Sequence, residues 1–90
     1  LKLDATTEKA YRNGRLLDLT RKEFELLFYL ASNAARVVTV NMILQTVWKC
    51  DASPLTTVVE SMLCKLRKKL SVRGESDLIH TVRGFGYVLR

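Results

Sequence analysis

Hydrophobic and polar positions alternate over short stretches at both ends of this chain and recur at helical spacing between them. Near the start, Ala10-Tyr11-Arg12 and Arg15-Leu16-Leu17 flank Asn13-Gly14, the pair best suited to positive φ in a two-residue hairpin turn. Residues 1 to 19 therefore read as a small antiparallel sheet, with Leu1 and Leu3 adding another short strand. Thr20 with Glu23 has capping-box spacing, and Phe24, Leu27, Phe28 and Ala31 follow as the buried face of a helix that ends near Asn33. A second, shorter helix follows Thr39, with Ile43, Leu44, Val47 and Trp48 as its apolar side and a stop around Cys50-Asp51. Asp51 to Thr56, with Pro54 inside it, reads as a connecting loop.

The third helix is the informative one. Thr57 and Glu60 repeat the capping-box spacing, and Val59, Leu63, Leu66 and Leu70 fall within about 60° of one another on a helical wheel, which makes them the core stripe. On the opposite arc lie Thr57, Ser61, Cys64, Lys65 and Lys68, none large and apolar, with Arg67 and Lys69 on the flanks. That arc meets solvent or a partner. Ser71 to Asp77 is polar enough to be a loop, and Leu78 to Val82 and Tyr87 to Leu89 read as strands joined through Arg83-Gly84-Phe85-Gly86. The whole is an α+β pattern: an N-terminal antiparallel sheet, three helices and a closing β-hairpin.

Composition narrows what such a pattern does. Ninety residues, 48% hydrophobic and 27% charged, make one domain over 1–90. A chain this short buries only roughly 60–65% of its unfolded surface, which leaves little room for an enclosed substrate cavity. No apolar run approaches the roughly 18 residues that cross a bilayer, so a soluble, cytoplasmic protein is expected. The chain opens on Leu1 rather than Met and so reads as a piece of something longer.

Fifteen Lys and Arg against nine Asp and Glu give a net charge of +6. Residues 57 to 90 hold seven basic and three acidic residues, so the excess sits in the last third, which puts a polyanion first among partners. Cys50 and Cys64 are fourteen positions apart and His80 is the lone histidine, which offers no zinc spacing. The same scarcity, with no GxSxG and no phosphate-cradling glycine loop, gives no enzyme, metal or cofactor reading. Taken alone, Arg67-Lys68-Lys69 is a solvated helix end complementing the macrodipole, and Trp48 and Tyr87 are core or rim packing.

Three helices followed by a hairpin is the order of a winged helix-turn-helix, in which one helix enters the DNA major groove and the hairpin, or wing, reaches flanking backbone or minor groove. Short polar residues and long cations on the outer helix face suit a groove about 12 Å wide. Arg83, in a hairpin tip with glycines on both sides of Phe85, is placed as a minor-groove or phosphate probe.

The string Leu19-Thr20-x-Lys22-Glu23-Phe24-x-Leu26-Leu27, then Val47-Trp48, then Leu66-Arg67-Lys68-Lys69-Leu70, then Thr81-Val82-Arg83-Gly84-Phe85-Gly86-Tyr87 resembles the C-terminal effector domain of OmpR/PhoB-type response regulators, over essentially all 90 residues. The resemblance implies a winged helix with a four-stranded N-terminal sheet, binding promoter DNA to regulate transcription in a two-component phosphorelay. It implies monomers in isolation, tandem dimers on DNA, and a receiver domain that this chain lacks. It makes Thr57 to Leu70 the DNA-reading helix, with Thr57, Ser61, Cys64 and Lys68 on its DNA face, Lys65 in the major groove and Arg67 on backbone or base. Trp48 and Tyr87 would touch phosphates from opposite sides, Thr81 and Arg83 would serve the wing, and the loop Lys49 to Thr56 would dock RNA polymerase. A protein-interaction module docking on the transcription machinery is the alternative. The chain departs from the pattern where family members often carry a basic residue, at Thr57 and Cys64, and where they carry His, at Met62. Glu60 stands where Asp is commoner.

Overall fold

The computed structural model describes residues 1–49, 56–72 and 74–90. Three strands open the chain, β1 (Lys2–Asp4), β2 (Lys9–Arg12) and β3 (Arg15–Leu17), paired antiparallel in the order β1-β2-β3. Helices α1 (Arg21–Ser32), α2 (Val40–Val47) and α3 (Thr56–Leu70) follow, and β4 (Ile79–Val82) pairs antiparallel with β5 (Gly86–Leu89). The winged arrangement expected from the pattern is present. The N-terminal sheet has three strands among the described residues, not the four that the family likeness implied, and Leu1 lies outside β1.

Asn13 and Gly14 both take positive φ, 53° and 78°, and so turn β2 into β3 as the sequence pair demands. Thr20 and Glu23 form the complete capping box: the Thr20 hydroxyl accepts from the Glu23 amide, and the Glu23 carboxylate accepts from the Thr20 amide at 2.8 Å. Thr39 caps α2 by accepting from the Met42 amide.

Leu26, Leu27, Leu30, Ile43, Leu44, Val59, Leu63, Leu66 and Leu70 form the centre of one core beneath the three helices. The predicted stripe of α3 is thus wholly buried. Three local expectations are corrected. The buried face of α1 runs through Glu23, Leu26, Leu27 and Leu30, with Phe24 beside it, and turns Phe28 outward at 40% exposure. Phe28 sits one position past that stripe, at the edge of the core, with its ring centre 5.9 Å from that of Phe24. Helix α2 ends at Val47, earlier than the expected Cys50-Asp51 stop, which itself lies outside the described residues; Trp48 is its half-buried C-cap. Thr57 stands inside α3, because Thr56 is already helical, so Thr57 and Glu60 are not a capping pair. Of the loop expected over Asp51 to Thr56, residues 51–55 also lie outside the described residues, and Thr56 already belongs to α3.

Strand β5 is tied down on its far side. Val38 and Tyr87 exchange two backbone hydrogen bonds of 2.8 Å each, and the Ala35 amide donates to the Leu89 carbonyl at 2.8 Å. Gly86 makes this approach possible, since a Cβ there would overlap the Val38 carbonyl. The hairpin is therefore held at its base while its tip, Arg83-Gly84-Phe85, stands exposed.

Candidate nucleic-acid interface

Helix α3 carries its core stripe inward, so geometry alone sends the other arc out: Thr57, Ser61, Cys64, Lys65 and Lys68 are all exposed. Val58 and Met62 border that arc, adding a small apolar margin beside Ser61 and Lys65. No bulky side chain stands on it. The sequence expectation for these five residues concerned their direction as well as their role, and their direction is as expected.

The basic end of α3 is less uniform than its sequence suggests. Lys69 bends back to α1, where its Nζ donates to the buried Glu23 carboxylate at 2.7 Å. Burial would raise the Glu23 pKa, but the Lys69 hydrogen bond and the Thr20 amide outweigh it and hold the carboxyl below its usual range. Arg67 turns to the wing: Nη2 donates to the Thr81 hydroxyl at 2.5 Å, and the guanidinium lies 5.7 Å from the centre of the Tyr87 ring. Burial, reinforced by the negative charge of Glu60, pushes the Tyr87 phenol above its ordinary value against the opposing pull of Arg67. Lys68 is exposed. Three consecutive cations thus have three different surroundings.

Thr81 and Tyr87 face one another across β4 and β5, which puts both on the hairpin face turned toward Arg67. Arg83 is exposed at the tip, and among the described residues Phe85 is the most exposed large apolar side chain, at 70%. Trp48 stands apart from this group, at the end of α2. Lys22 holds it there by donating to the Val47 carbonyl at 2.8 Å and lying 5.8 Å over the indole. The structure therefore brings together the α3 arc and the wing, while Trp48 marks a separate flank.

Sequence reasoning did not see what anchors α3. Arg12, only 7% exposed, donates to the carbonyls of Leu70 and Ser76 at 2.9 and 2.7 Å and to the Ser71 hydroxyl at 3.1 Å. Arg15 donates to Glu75 at 2.6 Å and to the Lys69 and Leu70 carbonyls at 3.2 Å. Glu75 in turn accepts from the Val72 amide, and this bond, with Asn13, Arg15 and Arg12, holds its carboxyl below the ordinary range. The only sequence signal was the placement of two arginines beside the Asn13-Gly14 turn, which does not indicate what they face.

Residues 14–89 match the family described as "Transcriptional regulatory protein, C terminal". The chain belongs to this family. It is an effector domain of the OmpR/PhoB type. It is 47% identical over 90 residues to a response regulator MprA of Mycobacterium leprae, a match that covers all of this chain and 40% of that protein. The effector domain thus spans about 40% of the length of the curated relatives it matches. Among solved structures, the DNA-binding domain of CpxR from E. coli superposes with a TM-score of 0.85 at 31% identity, over 97% of this chain and 86% of that one. The DNA-binding domain of response regulator AdeR, solved in complex with an intercistronic region, superposes with a TM-score of 0.85 at 30% identity, covering 98% and 90%.

Proposed function

We propose that this effector domain binds double-stranded promoter DNA sequence-specifically and so regulates transcription as the cytoplasmic output of a two-component system. The observation that carries the reading is the exposed, polar and cationic arc of α3 standing beside an anchored hairpin. Solved relatives of the same fold, one of them with DNA bound, support it.

In this reading Thr57, Ser61, Cys64 and Lys68 line the major groove, and Lys65 reads a purine edge there. Trp48 and Tyr87 contact phosphates from opposite sides, Thr81 serves the wing, and Arg83 enters the minor groove or meets the backbone. Where family members often carry cations, Thr57 and Cys64 leave this arc less basic, which shifts discrimination toward Lys65. Family likeness supports two further partners: a second copy, in a tandem dimer on DNA, and RNA polymerase, through the loop Lys49 to Thr56. Most of that loop lies outside the described residues.

Selection of bound sequences from a random duplex pool tests the reading. An enriched direct repeat, spaced by about one helical turn, is expected; a palindrome would count against the tandem arrangement, and no enrichment against sequence-specific binding. With about five phosphates neutralised per monomer, log affinity should fall against log salt with a slope of about −4 to −5, and a slope near zero would refute DNA binding. Lys65→Ala should cost about 1–3 kcal/mol and relax discrimination at one base position, whereas Arg83→Ala should weaken all sequences evenly.

A further inference from the structure

Arg67 looks like one more cation for DNA, yet its surroundings give it a different task. Its Nη2 is committed to the Thr81 hydroxyl, its plane lies by the Tyr87 ring, and its Nε is sealed from solvent with no hydrogen-bond partner. A side chain held in this way is turned toward the wing, not out along the arc of Ser61, Lys65 and Lys68.

The hairpin needs such a tether on this side. Strand β5 packs against α1 and is pinned to Val38, so its own anchors belong to α1 and the segment that follows it. Among the described residues, the Arg67–Thr81 bond is the side-chain hydrogen bond that joins α3 to the hairpin. Thr81 and Tyr87 are an opposed pair, one from each strand, so a single guanidinium grips both strands at the same level. The fork and flat face of arginine suit that double contact; an ammonium offers a point charge and cannot reproduce it.

We propose that Arg67 is a positioning residue that sets the angle between the wing and the DNA-reading helix, and that it contributes to affinity by preorganisation instead of by touching phosphate. This rests on the DNA-binding reading above. An effector that must place a helix in one groove and a hairpin in the next loses binding free energy if the hairpin has to be ordered during docking. The contribution is independent of sequence and, since no phosphate is neutralised, independent of salt.

The test compares wild type, R67A, R67K, T81V and the R67A/T81V double variant on the duplex enriched by selection with the wild-type domain. R67A is expected to lose on the order of tenfold in affinity with an unchanged base preference and an unchanged salt slope. R67K is expected not to rescue it. T81V, at an exposed site where folding is not at stake, should reproduce most of the loss, and the double variant should lose no more than R67A alone. A salt slope shallower by about 0.9 in R67A or rescue by R67K would overturn the proposal by marking a direct phosphate contact, and additive losses in the double variant would overturn it by showing that Arg67 and Thr81 act independently.

Amide exchange in the DNA-free domain separates this idea from the reading it rests on. Both R67A and T81V should speed exchange across β4 and β5 while leaving α1 unchanged, whether or not any duplex binds. Unaltered exchange in the hairpin would overturn the latch even if DNA binding is confirmed.

Discussion

Arg12→Met tests how α3 is held at its far end. The substitution keeps an apolar stem of similar reach in a buried position and deletes only the guanidinium fork. Three hydrogen bonds go, to the Leu70 carbonyl, the Ser71 hydroxyl and the Ser76 carbonyl. Charged hydrogen bonds are each worth about 1.5–3 kcal/mol net, so the two carbonyl bonds alone give a starting figure of about 3–6 kcal/mol. Two effects reduce it. The Leu70 carbonyl still accepts from Arg15, and the Ser76 carbonyl still accepts from the Ser71 hydroxyl, so neither is orphaned. Removing a buried cation also relieves its desolvation cost. A loss of about 2–3 kcal/mol remains, which for a domain of this size lowers Tm by about 10–20 °C. Thermal unfolding followed by circular dichroism measures it, with Arg15→Met, a more exposed partner of the same carboxylate, expected to lose less than half as much. A fall in Tm under about 3 °C for Arg12→Met would refute the claim that this arginine fastens the sheet to the end of α3.

Stability should fall in acid. Glu23 and Glu75 have folded pKa values depressed below the 4.5 of a free glutamate, so their contributions are fully present above that pH and are lost as pH falls through the folded values. Urea midpoints should be level above pH 5.5 and drop below about 4.5, with the acid sensitivity reduced in Glu23→Gln; an equal drop in that variant would remove Glu23 from the account. Gly86→Ala should cost more than about 2 kcal/mol, because φ is +156° and a Cβ would overlap the Val38 backbone; near-neutral urea unfolding would contradict the close approach. Lys68→Ala and Lys69→Ala should separate cleanly. The first should weaken DNA binding with little change in Tm, and the second should lower Tm through the abandoned Glu23 with a smaller effect on affinity. Matching behaviour of the two in titration and melting would show that the basic run acts as one patch.

What the sequence determined by itself were those features whose causes are local. Asn13-Gly14 needs two positive φ values and nothing else to make its turn, Thr20-x-x-Glu23 closes its box within one helical turn, and the spacing of Val59, Leu63, Leu66 and Leu70 points one side of α3 inward whatever covers it. By elimination the exposed arc of Ser61, Cys64, Lys65 and Lys68 was legible too. Phe28 was misplaced because periodicity allows a stripe to be centred on either of two adjacent rows, and only the packing of α1 over the other helices chooses between them. The employment of the cations was decided wholly by tertiary structure. Arg12, Arg67 and Lys69 find their partners 58, 14 and 46 positions away along the chain, and no local pattern records which carboxylate, hydroxyl or carbonyl folding will bring to a given side chain.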